Sequence, residues 1–324
     1  MANFTGLGCA RHVLLKRAGW DVETKGLYGA PEMQVVVGEE AHVTVLRALR
    51  FLGLGQERVK QVAADGEGRM DPAALGPVLA ECPGPTLVCL QAGNVNTGAV
   101  DSMAELIQLA HTHGAWVHVD GAFGLWAAAS ARTRALVRGV ESADSWALDA
   151  HKWLNVPYDS GVAIVRDADV MRGTMGSQAS YLVRSTGLRD GVDYGPEFSR
   201  RGRGTPVYAV LRSLGRSGVE ELVDRCCALA RRFAEQLARA PRVQVLNDVV
   251  LNQVLVRFEP PGGGEADAFT QEVVSRVQQD GTCWLGGSVW KGRQVMRISV
   301  SGWSTTEADV DRSVAAILRC AARL

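Results

Sequence analysis

The sequence predicts an α/β fold: a large domain with a mostly parallel sheet flanked by helices, then a smaller C-terminal α/β domain. Three observations carry this. Short apolar runs alternate with amphipathic stretches of helical period through the first half, the pattern of successive βαβ units. A Gly/Arg-rich stretch, Ser199-Arg200-Arg201-Gly202-Arg203-Gly204, then interrupts the alternation. The chain has 324 residues, enough for one large unit and one small one. The expected division is 1–209 and 210–324.

Apolar runs of strand length lie at residues 34–37, 86–91, 116–120, 145–148 and 162–165. Helical patterns lie at residues 41–52, 72–81 and 102–113. Asp101 stands before the third as an acidic N-cap, and Gly114 follows it as a stop. In the second half a long helix is expected over residues 219–238 and a strand over 252–258. The loop Pro260-Pro261-Gly262-Gly263-Gly264 follows, then a helix over 266–279, strands over 282–285 and 294–300, and a last helix from Thr306.

Composition excludes several classes. Hydrophobic residues make up 47% and charged residues 22%, the balance of a folded globular chain. Lys+Arg and Asp+Glu are both 35, so no positive field points to nucleic acid or an anionic membrane as partner. No apolar run approaches the roughly 20 residues of a membrane span. The first residues do not read as a signal peptide. Seven cysteines without a Cys-x-x-Cys pair suit reduced thiols and a cytoplasmic location. Only five of the 35 basic residues are lysines (Lys16, Lys25, Lys60, Lys152 and Lys291), so a lysine in a chemically loaded setting is informative.

Lys152 is in such a setting. The segment His118-Val119-Asp120-Gly121-Ala122-Phe123-Gly124 ends one expected strand, and Leu148-Asp149-Ala150-His151-Lys152-Trp153-Leu154 ends another. In open α/β sheets ligands bind at the carboxyl ends of the strands. A carboxylate past one strand and an amine past its neighbour can reach the same small molecule. Pyridoxal 5′-phosphate (PLP) chemistry needs that pair: Lys152 for the Schiff base, and Asp120 to keep the pyridine nitrogen protonated. No metal is expected. His111 and His113 stand near His118 and Asp120, but residues two apart on a helix face different directions, and histidines at a helix C-terminus suit its dipole.

His-x-Asp-x-Ala-x-Gly, followed by Ala-Asp-Ser and His-Lys-Trp-Leu, resembles the group II PLP-dependent amino-acid decarboxylases, of fold type I and aspartate aminotransferase-like architecture. The resemblance implies that His42, in Gly38-Glu39-Glu40-Ala41-His42, stacks on the pyridine ring, with Ala122 on the opposite face. It implies that His151 reaches the cofactor phosphate and that Tyr181, or His151, returns a proton to the substrate carbon. It also implies a homodimer and an amino-acid substrate that loses CO2 to give an amine.

Two substitutions depart from the family pattern. Gly93-Asn94-Val95 stands where many relatives have Gly-Thr-Thr, so Asn94 is expected to supply the polar contact. Asp149 replaces a frequent asparagine beside the phosphate. Residues 1–7 resemble the helix after the family's phosphate-binding loop, so the sequence is expected to be N-terminally truncated, through a late start or a real loss. Two alternatives stay open. One is another PLP reaction on the same fold (lyase or aldolase, aminotransferase, oxidative deaminase); the other is a non-catalytic remnant.

Overall fold

The structure is a computed structural model and describes residues 1–177 and 189–324. Tyr181 lies outside the described residues.

The large sheet has six strands: β1 (Gln34–Gly38), β2 (Val59–Val62), β3 (Thr86–Gln91), β4 (Trp116–Asp120), β5 (Ser145–Asp149) and β6 (Gly161–Val165). Their order is β2-β1-β3-β4-β5-β6. The first five run parallel, and β6 pairs antiparallel with β5. The central strands are apolar on both faces because helices cover both. Alternation sorts the side chains. Val35 and Val37 face a core with Leu7, Leu14, Leu49 and Met171, contributed by α1 (Ala2–Arg17), α3 (Val43–Phe51) and α6 (Ala168–Met175). Val36 faces the other core, with Leu75 and Leu79 of α4 (Pro72–Ala80) and Leu106 and Ile107 of α5 (Met103–Thr112). A single turn, α2 (Val22–Lys25), follows α1.

The second core continues without a break into the C-terminal part. There α7 (Gly204–Ala238), α8 (Ala266–Asp280) and α9 (Glu307–Ala322) pack with a sheet ordered β7-β8-β10-β9. Its strands are β7 (Val243–Val245), β8 (Gln253–Phe258), β9 (Gly286–Trp290) and β10 (Arg293–Ser299), all paired antiparallel.

Several details differ from the sequence expectation. The strand expected at residues 282–285 is replaced by β9 at Gly286–Trp290. Lys291 and Gly292, with φ of 48° and 75°, form the two-residue turn of a hairpin with β10, and this turn sets the register. The short strands β2 and β7 carry too little pattern to have been expected. The long helix starts at Gly204 rather than near Val219 and breaks at Gly215 (φ 62°, ψ −173°), a backbone state suited to glycine. The expected boundary near residue 210 therefore falls inside a helix. Among the described residues no helix is long and apolar enough to cross a membrane.

Candidate active site

Parallel pairing brings three strand ends to one edge of the sheet. Asp120 is the last residue of β4, Asp149 the last of β5, and His42 caps α3 shortly after β1. Between them lies a cavity of about 350 Å3 lined by His42, Thr44, Asp120, Ala122, Asp149 and Lys152, with residues 1–4 of the α1 end and Arg47, Ala48, Phe51 and Ala147.

Asp120 is buried, 5% exposed. Its Oδ1 accepts from the Ala122 N–H at 3.2 Å and its Oδ2 from Asn3 Nδ2 at 3.2 Å. Burial raises its pKa, and His42, the Asn3 hydrogen bond and Lys152 act against that rise. A buried carboxylate whose charged form is disfavoured, facing a cavity, is suited to a cationic N–H from a ligand.

His42 Nδ1 lies 2.8 Å from Thr44 Oγ1 and accepts from the Thr44 N–H at 3.4 Å. Burial lowers the His42 pKa, outweighing the attraction of Asp120. Its ring is therefore neutral at neutral pH.

Lys152 is more open. Its Nζ pairs with Asp149 Oδ2 at 3.1 Å and sits 6.0 Å from the centre of the Phe123 ring. His151 Nε2 lies 3.6 Å from the same Asp149 oxygen, and its Nδ1 accepts from the Ser160 N–H at 2.9 Å. The His151 ring packs on Tyr158 with centroids 4.2 Å apart. His151 does not line the smaller cavity. It lines a neighbouring one of about 830 Å3, which shares Asp149 and extends to Tyr194 and to Arg200, Arg201 and Arg203. Arg203 forks onto the Asp159 carboxylate at 2.9 and 3.2 Å and so ties that segment to the loop after Lys152.

Asn94 is placed elsewhere. It is buried, but its Oδ1 accepts from the Asn96 and Thr97 N–H groups at 2.8 and 3.2 Å, making an Asx turn, and it does not line the cavity. Its Nδ2 has no protein partner and lies near Gly68. Of the sequence candidates, then, His42, Asp120, Ala122 and Lys152 share one cavity, His151 adjoins it through Asp149, and Asn94 is turned to the loop's own backbone. His111 pairs with Asp144 at 3.0 Å, and no cluster that could hold a metal ion is found among the described residues.

Sequence reasoning missed three contributors: Asn3, Thr44 and Arg297. Arg297 comes from β10, donates to the Val95 carbonyl at 3.2 Å, and helps to lower the His42 pKa. Burial lowers its own pKa. Thr44 hydrogen-bonds to its neighbour His42 locally, whereas Asn3 and Arg297 reach the site only through packing of distant segments.

The residues present fit PLP. An acidic floor suits a pyridinium nitrogen, a primary amine suits an aldehyde, and the N-terminal end of α1 offers positive potential to an anion.

Comparison with known proteins agrees with this fit. The family model of the pyridoxal-dependent decarboxylase conserved domain matches residues 6–259. The chain is 29% identical over 319 residues to an aromatic-L-amino-acid decarboxylase of Bacillus atrophaeus, covering 95% of this chain and 64% of that protein. It is 30% identical over 262 residues to an acidic amino acid decarboxylase of Mus musculus, covering 78% and 48%. Among solved structures, mouse CSAD in apo form superposes with a TM-score of 0.90 at 26% identity, over 100% of this chain and 70% of that one. Oryza sativa TDC with PLP and tryptamine gives 0.90 at 25%, over 99% and 68%. The chain thus spans 64% and 48% of the lengths of those two curated relatives. With its motifs in register on the sheet edge, the chain belongs to the pyridoxal-dependent decarboxylase family.

Proposed function

We propose that this chain supplies the cofactor-binding core of a PLP-dependent decarboxylase that converts an L-amino acid to its amine and CO2, with Lys152 as the covalent anchor. The observation that carries this reading is the presence of the Lys152 amine and the buried Asp120 carboxylate in the lining of one cavity of about 350 Å3. When bound, PLP supplies an electron sink for the pair released as the carboxylate leaves.

The chain's own residues set the conditions. Asp120, fixed by two hydrogen bonds, holds a proton on the ring nitrogen through charge attraction. His42, kept neutral by burial, offers a flat aromatic face, and the small Ala122 side chain leaves room for a ring. Lys152 must leave its pair with Asp149 before its amine is free to react. His151, with Nδ1 taken by the Ser160 N–H, can carry a proton only on Nε2, the nitrogen nearer Asp149. Tyr181, which lies outside the described residues, or else His151 is assigned the return of a proton to the substrate carbon. Arg297, from β10, is near enough to help lower the His42 pKa and is suited to the substrate carboxylate. How that carboxylate is held decides which bond breaks, and the match to the pyridoxal-dependent decarboxylase family supports decarboxylation over the other PLP reactions.

We assign cofactor binding to residues 1–209 and read residues 210–324 as the smaller C-terminal α/β domain, with α7 running across the boundary. Exposed apolar side chains near the cavity and along α7, Phe51, Tyr208 and Leu211 among them, support a homodimer. The cysteines are all free thiols, which supports a cytoplasmic location.

The test is a visible spectrum with added PLP before and after borohydride, with the labelled peptide mapped, and assay of CO2 and amine from amino-acid substrates. Label on Lys152 with amine release is expected. Label confined to other lysines would overturn the assignment.

A further inference from the structure

A buried hydrogen-bond chain runs from the core to the cavity wall, and its direction follows from its members. Trp116 Nε1–H, which can only donate, lies 2.9 Å from Ser145 Oγ. Ser145 Oγ lies 2.8 Å from His118 Nδ1, and His118 Nε2 lies 3.0 Å from Asn3 Oδ1. Asn3 Nδ2 then donates to Asp120 Oδ2 at 3.2 Å and to Thr44 Oγ1 at 3.3 Å, and Thr44 Oγ1 lies 2.8 Å from His42 Nδ1.

With Asp120 ionised, one proton arrangement satisfies every link. The Asp120 carboxylate accepts, so the Asn3 amide nitrogen faces it and the amide oxygen faces His118. His118 must then carry its proton on Nε2, leaving Nδ1 to accept from the Ser145 hydroxyl. Burial holds the His118 pKa down to about 3, so the ring stays neutral. At the other branch, the backbone N–H of Thr44 lies 3.4 Å from His42 Nδ1, a longer contact than the 2.8 Å to the Thr44 hydroxyl. The Thr44 hydroxyl, accepting from Asn3, donates to the same nitrogen, which puts the His42 proton on Nε2.

We propose that Asn3, Thr44, His118 and Ser145 form a positioning relay, branched at Asn3, that fixes the Asp120 carboxylate and the tautomer of His42 together. This goes beyond the assignment of Asp120 and His42 to the cofactor, and it rests on that reading only for its effect on PLP. His118 contributes a directed dipole and no net charge. His118 and Ser145 are fully buried and cannot touch a ligand, so they act through Asn3.

The experiment is long-range 1H–15N correlation NMR of the histidine rings in the PLP-free chain, with PLP affinity measured in parallel. In the parent, His118 and His42 should both show the Nε2–H tautomer. Thr44→Val should change the His42 pattern and leave His118 unchanged, while Thr44→Ser restores the His42 pattern. Thr44 is exposed, so neither variant threatens the fold. Asn3→Ala should change both rings and weaken PLP binding about tenfold, the scale of one hydrogen bond to a charged group. An Nδ1–H tautomer at His118, or Asn3→Ala rings and PLP affinity equal to the parent's, would overturn the relay. If the parent takes no PLP at Lys152, the cofactor reading falls, and the ring tautomers still decide the relay.

Discussion

The two chemical poles of the cavity are built in opposite ways. Asp120 ends an all-buried strand, accepts two hydrogen bonds, and is backed by a chain of polar groups reaching into the core. Lys152 stands on the loop after β5, with its side chain 35% exposed and its charge answered, among the described residues, by a close ion pair with Asp149. The difference suits the tasks that the proposed function gives them. A carboxylate that must hold one proton in one place gains from rigidity and low dielectric, at the cost of desolvation. An amine that must leave one partner for another gains from a shallow, water-accessible pairing.

The largest expected effect lies at the exposed pole, Lys152. Lys152→Ala should abolish borohydride-stable PLP labelling and amine formation. Unfolding free energy should shift by no more than about 1 kcal/mol, the scale of a partly exposed ion pair. A large loss of stability would mean that Lys152 is structural and would break the contrast.

Next comes the rigid pole. Asp120→Asn should reduce amine formation by about 10²–10³-fold, the scale for removing one preorganised electrostatic partner. The same variant should be at least as stable as the parent at neutral pH. Burial raises the Asp120 pKa, so its carboxylate contributes best at acid pH and is penalised once ionised.

A third prediction concerns acid stability. His118 has its pKa lowered from 6.5 to about 3, so the unfolded chain binds the proton that the folded chain refuses. Its contribution is present above pH 6.5 and is lost as pH falls towards 3. Asp101, raised from 3.8 to about 6 by burial, acts in the opposite sense: its contribution is present below pH 3.8 and lost as pH rises through 6. His118→Gln should therefore flatten the acid limb of stability against pH, and Asp101→Asn should steepen it. Urea titrations from pH 4 to 7 would check both.

The smallest effect belongs to Asp149. Its pair with Lys152 is partly exposed and is worth at most about 1 kcal/mol. Asp149→Asn should free Lys152 and remove a negative charge beside an incoming phosphate, tightening PLP binding by up to about fivefold in a fluorescence titration. Weaker binding would show that Asp149 helps to hold the cofactor.

Much of this was legible in the sequence, for local reasons. Strands at residues 86–91 and 116–120 coincide with β3 and β4, because central parallel strands are short runs of apolar residues with polar ends. Lys152 and Asp120 could be found because chemistry and position coincide: each follows an apolar run at the edge where such sheets bind ligands. Asn94 shows where reading by motif stops. Its residue type suited a polar contact, but the turn at residues 94–97 uses the side chain for its own backbone. β9 shows the same limit: the apolar run at 282–285 looked like a strand, while the Lys291-Gly292 turn placed the pairing further on.

The sequence by itself determined the alternation of elements, the lysine and the carboxylate, because these depend on period and on neighbours a few residues away. Only the tertiary structure decided that Asn3 bridges Asp120 to His118, 117 and 115 residues distant, and that Arg297 reaches the loop at Val95, 202 residues away. Hydrogen bonds over such separations follow from the crossing of strands and helices and leave no periodic trace along the chain. The exposed amine was therefore written in the sequence, and the hydrogen-bonded support of the buried carboxylate was completed by the fold.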